Sequence, residues 1–182
     1  MIRSYLVLAM TGASLLLASF ATGFPAAAEP RGSGGSWRGV HLLVSLGTLM
    51  AVLGIHSIVY TYFLATVKWA KEVSRAYDLP DWLAAQASRN KRRAFRFILG
   101  GMAAVAAAAW LGAAVDTRGP AYRPWHLAAA GFALGFNAVA FLIEYAGVVS
   151  HHRLLAELKG QADRVREGRY GPEPEPAPEA HA

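Results

Sequence analysis

Apolar residues run along this chain in blocks too long for one face of a soluble helix. Val40–Val67, Phe97–Val115 and Trp125–Val149 carry a single charged side chain between them, Glu144. At ~1.5 Å of rise per residue, each block is long enough to cross the hydrocarbon layer of a bilayer. Ten-residue segments alternating between apolar and polar, which a transmembrane β-barrel would need, are not found. The pattern predicts an all-α fold, an integral membrane helical bundle. It has three transmembrane helices, at about 40–67, 97–115 and 125–149, plus an N-terminal signal peptide or fourth (signal-anchor) helix.

Two of these blocks carry a polar stripe at helical spacing. In the last, His126, Ala130, Ala133, Asn137, Ala140 and Glu144 fall on one side. In the first, His41, Ser45, Thr48 and His56 lie within about 80° of one another at ~100° per residue. Ionisable groups at membrane depth are costly and seldom face lipid, so both stripes are expected to face protein, a ligand or water.

Small residues mark other faces. Gly100-Gly101 opens an Ala-rich run in the second span, and Gly131 and Gly135 form a Gly-xxx-Gly pattern in the third. Glycines of this kind let helix backbones approach, so all four are expected at helix packing faces.

Residues 1–28 begin with Arg3, continue through an uncharged run, and end in Ala26-Ala27-Ala28 before Glu29. Small residues at −3 and −1, with Pro25 just before, suit a secretory cleavage site. An uncleaved transmembrane helix is the alternative, and both leave the Gly/Ser-rich segment 29–38 outside, as a flexible spacer.

Charge then orients the bundle. The connection 68–96 holds Lys68, Lys71, Arg75, Arg89, Lys91, Arg92, Arg93 and Arg96 against three acids. The connection 116–124 holds only Arg118 and Arg123. Lys/Arg excess marks cytoplasmic loops, which puts 68–96 and the C-terminus in the cytoplasm of a bacterial inner membrane and 116–124 outside. Asp78-Leu79-Pro80-Asp81 should break the cytoplasmic connection into a helical hairpin. Arg92, Arg93 and Arg96 sit at headgroup level, where they anchor to lipid. Residues 151–169 read as a cytoplasmic amphipathic helix. Residues 170–182, alternating Pro and Glu, read as a disordered tail. The net charge of +6 is thus a topology signal and implies no nucleic acid.

The chain has no cysteine, which removes disulfides, thiolate metal sites, Cys-ligated clusters and covalent haem attachment. It also lacks a P-loop, a dinucleotide-binding glycine fingerprint, a nucleophile elbow and a His-Glu-x-x-His motif. His41 and His126 both start inward-running spans, at comparable depth, and two imidazoles from different helices can flank a haem b iron. A second haem finds no matching histidine, so one haem per chain is the upper bound. Deeper in the bundle, His56 and Glu144 lie ~22 Å and ~27 Å below those histidines, about one helical turn apart. They could meet, and with Asn137 they are candidates for a buried polar cluster or a proton path.

The expected function is that of a small multi-pass membrane protein, a non-catalytic accessory or assembly subunit of a larger membrane complex. Its partners would be lipid and other membrane subunits, or further copies of itself. The alternatives are a haem-b-binding electron-transfer subunit using His41 and His126, and a proton- or ion-handling element using His56 and Glu144.

Overall fold

The computed structural model describes residues 2–30 and 36–171, the Tyr170 side chain excepted. Four helices account for nearly all of them: α1 (Ile2–Ala28), α2 (Trp37–Ala76), α3 (Asp81–Arg118) and α4 (Arg123–Tyr170). Each is long and apolar enough to cross a membrane. The expected tail 172–182, and most of the spacer between α1 and α2, lie outside the described residues.

The connections follow from local chemistry. At the end of α2, Asp78 takes a left-handed conformation at φ 53°. The Leu79 N–H then reaches back to the Ser74 carbonyl at 2.9 Å, closing the helix with a Schellman-type cap. Pro80 cannot extend a helix backwards, and Asp81 opens α3 with an acid beside the positive helix end. At the other end of α3, Gly119 sits at φ 114°, a backbone that a β-carbon disfavours. A 3-10 turn, Pro120–Tyr122, then leads into α4. Across the spacer, Arg38 donates from its backbone N–H and its guanidinium to Glu29, holding the ends of α1 and α2 together.

The helices run up, down, up and down around a shared interior. α1 and α3 each pack against both α2 and α4, and among the described residues the backbones of α1 and α3 do not approach each other closely. α2 and α4 are therefore the diagonal pair, and they meet across the middle. Among the described residues the interior has three apolar clusters. The first, at the end where α2 begins, is built on Leu16, Val52, Ile55, Val105, Ala133 and Phe141. The next holds Tyr5, Val59, Phe63, Ile98 and Val148. The last, Val67, Leu79, Leu83, Ala87, Leu154 and Leu158, takes nothing from α1.

That last cluster reflects helix lengths. α1 spans ~40 Å, whereas α2, α3 and α4 span ~60, ~57 and ~72 Å at 1.5 Å per residue. The three longer helices therefore continue past the start of α1 as a three-helix extension. The segment 151–169, expected as a helix of its own, is the uninterrupted end of α4. Its Leu154, Leu158 and Ala162 repeat at four-residue intervals against Leu83 and Ala87 of α3, which binds it to the bundle.

Candidate functional site

Beneath Phe141 the diagonal helices bring together the polar residues of both stripes. His56 (α2), Asn137 and Glu144 (α4) are each 0% exposed. His56 Nδ1 lies 2.8 Å from Glu144 Oε1, and His56 Nε2 lies 2.8 Å from Asn137 Oδ1. The imidazole is stacked on Phe141 at 5.3 Å between ring centres. The one-turn offset expected from residue counts is within the reach of a glutamate side chain leaning toward the start of its own helix.

Glycine makes the room. A β-carbon at Gly101 on α3 would stand 2.6 Å from His56 Nε2 and 2.8 Å from Asn137 Oδ1, inside their hydrogen bond. Gly101 is therefore what lets α3 close over the site. Gly100, beside it, faces the Phe136 ring at a similar clearance. Gly131 has only Phe20 near, at 4.0 Å, and Gly135 faces open space. Arg92, Arg93 and Arg96 are exposed on α3.

The hydrogen-bond network fixes the histidine tautomer. The Asn137 amide nitrogen donates to the Ala133 carbonyl at 2.8 Å and the Gly101 carbonyl at 3.4 Å. Its oxygen must then face His56, and His56 Nε2 must carry the hydrogen between them. On the other ring edge, Nδ1 and Glu144 Oε1 are in contact off the best hydrogen-bond line, and neither has another partner among the described residues. A bare nitrogen lone pair and a carboxylate oxygen at 2.8 Å would repel, so this contact holds one proton. With the proton on the ring the pair is imidazolium–carboxylate. With it on Glu144 the pair is neutral imidazole and carboxylic acid. Both forms have zero net charge, which is what a buried site tolerates.

Tyr5 of α1 completes the cluster, and sequence reasoning missed it. Its hydroxyl donates to the Phe141 carbonyl at 2.8 Å and lies 3.4 Å from Glu144 Oε2. It is 1% exposed. No sequence signal singles out a tyrosine at the fifth position of a leader-like segment. The nearest clue was that a buried phenol needs a partner.

The end where α2 begins holds a second polar group. The His41 and His126 rings lie 6.2 Å apart, their planes at 67°. His41 Nδ1 is 3.2 Å from the Thr22 hydroxyl on α1, and His126 Nδ1 is 3.0 Å from the Ala108 carbonyl on α3. At the opposite end, His151 Nε2 meets the Thr66 hydroxyl at 2.8 Å, where neither stripe had a predicted partner for it. Among the described residues, no three His, Asp or Glu side chains cluster as a metal site would require.

Compared with protein-family models, curated proteins and solved structures, the chain matches none of them. The functional reading therefore rests on the chemistry of these sites.

Proposed function

We propose that the protein is a membrane-embedded four-helix subunit of a larger membrane assembly, and that its His56–Glu144 pair is a one-proton site serving that assembly. The observation that carries the reading is the 2.8 Å contact between two fully enclosed ionisable groups on the diagonal helices. An ionisable pair at membrane depth is costly, and a hydrophobic pair of similar volume would hold the helices as well or better. Its chemistry supports a protonic role: the two forms differ only in which atom holds the proton, so the pair can pass a proton between ring and carboxyl without changing its net charge.

The rest of the molecule fits a subunit rather than an independent enzyme or carrier. The sequence has no nucleophile–base pair and no phosphate-binding loop. Large apolar side chains such as Leu43, Met50, Trp125, Phe132 and Leu142 stand on the outer faces, where lipid or neighbouring subunits would cover them. The basic residues of the α2–α3 turn suit the cytoplasmic side of a bacterial inner membrane.

Replacing the chromosomal gene by its Glu144→Gln form tests the reading. The amide keeps the shape and one hydrogen bond to His56, and removes the titratable group. Membrane abundance and co-purifying partners should be unchanged, while proton translocation by native membrane vesicles falls at least severalfold. Translocation equal to wild type at equal abundance would reduce the pair to a structural contact.

A further inference from the structure

The two outer histidines are set up as ligands rather than as ordinary interfacial residues. The Thr22 hydroxyl donates its own hydrogen to the Ser19 carbonyl at 3.0 Å, so toward His41 Nδ1 it can only accept. The Ala108 carbonyl can only accept from His126 Nδ1. His126 is thereby held as the Nδ1–H tautomer, and Thr22 favours the same tautomer of His41, whose Nδ1 also has the Ser45 hydroxyl at 3.4 Å. In that tautomer each ring presents an Nε2 lone pair. This is the arrangement that orients metal-bound imidazoles, one nitrogen donating to a fixed acceptor and the other free.

Spacing and ligand count narrow the choice. A ring separation of 6.2 Å is too long for a direct hydrogen bond between the rings. Two metal–imidazole bonds of about 2.0–2.1 Å, plus the ring radii, come to roughly 6 Å. A zinc or copper(II) ion needs three or four protein ligands, and no third His, Asp or Glu joins the pair. Haem iron needs only two, because the porphyrin supplies the other four nitrogens.

The neighbouring helices approach the rings through glycines. The residues facing the pair from α1 and α3 are Gly23 and Gly112. A β-carbon there would lie 3.4 Å from His41 Cε1 and 3.0 Å from His126 Cε1. Arg38 and Arg123 stand three residues before the two histidines, at the polar end where haem carboxylates would emerge. We propose that His41 and His126 are the two axial ligands of a single haem b, held between α2 and α4 at the outer end of the bundle.

The full-length chain, produced in haem-replete cells and purified in detergent, should show a Soret band. After dithionite reduction it should show a sharp α-band, at about one haem per chain. His41→Ala and His126→Ala should each lose both bands, and exchange of the exposed His152 for Ala should keep them. Gly112→Leu, which removes no ligand, should lower haem content severalfold. Should an alanine variant fail to fold, His41→Met decides: methionine can replace an axial imidazole, so a folded His41→Met protein should hold haem at a raised potential. Four results would overturn the assignment. They are a folded protein without a Soret band even after added haemin, bands that survive both alanine substitutions, a folded His41→Met protein without haem, and copper or zinc bound by the pair in place of porphyrin.

Discussion

At the scale of single residues, the site depends on what is missing at position 101 as much as on what stands at 56, 137 and 144. Gly101→Ala adds one methyl group, and that methyl falls inside the His56–Asn137 hydrogen bond. Alanine is the better helix former by up to ~1 kcal/mol, yet the overpacking should outweigh that and destabilise the bundle by about 1–3 kcal/mol. Gly135→Ala, with open space before it, should be neutral or slightly stabilising. Thermal unfolding of the two variants in detergent checks the contrast, and equal midpoints would show that α3 does not close over the site as described. The pairing of His56 with Glu144 was legible in the sequence, because two stripes at helical spacing and similar depth had nowhere else to point. The role of Gly101 was not. Its clearance is set by side chains on two other helices, which no spacing rule within α3 reveals.

At the scale of elements, α1 is the helix whose reading changes most. Its sequence has the leader features of an apolar run, Pro25 and three alanines. In the fold it is tied to its neighbours by a ladder of polar contacts. The Ser19 and Ser45 hydroxyls meet at 2.8 Å, the Thr48 hydroxyl reaches the Leu15 carbonyl at 3.1 Å, and Tyr5 bonds to the Phe141 carbonyl. Gly12 accepts Ile55 and Phe141 at distances a β-carbon would forbid. Interhelical hydrogen bonds and small-residue contacts of this kind hold membrane helices together, and a leader released on export has no use for them. The N-terminal segment should therefore be retained. Intact-mass measurement of the membrane-purified protein should find residues 1–28, with or without the initiator methionine. A mature chain starting at Glu29 would contradict it, and would leave the Glu144 end of the site open. The single helix that α4 forms through Ser150 was hidden for a related reason. The change from apolar to polar surface there marks where the bundle leaves the expected span, and the backbone has no cause to break.

At the scale of the whole molecule, four long apolar helices form a bundle with a three-helix extension on the basic side. Orientation is open to a clean test, because the chain has no native cysteine. Single cysteines at the exposed positions Ala85 and Thr117 should be reached by a membrane-impermeant maleimide from opposite sides, Thr117 in intact spheroplasts and Ala85 only after lysis. Labelling of Ala85→Cys in intact spheroplasts would invert the topology. The central claim is that this bundle encloses one exchangeable proton shared by His56 and Glu144. Infrared difference spectroscopy of the purified protein across the pH range in which it stays folded tests it most directly. Interacting groups titrate as a pair, so histidine-ring and carboxyl bands should change together at each step, a coupling absent from Glu144→Gln. A folded protein in which those bands change in two unrelated steps, or do not change at all, would contradict it.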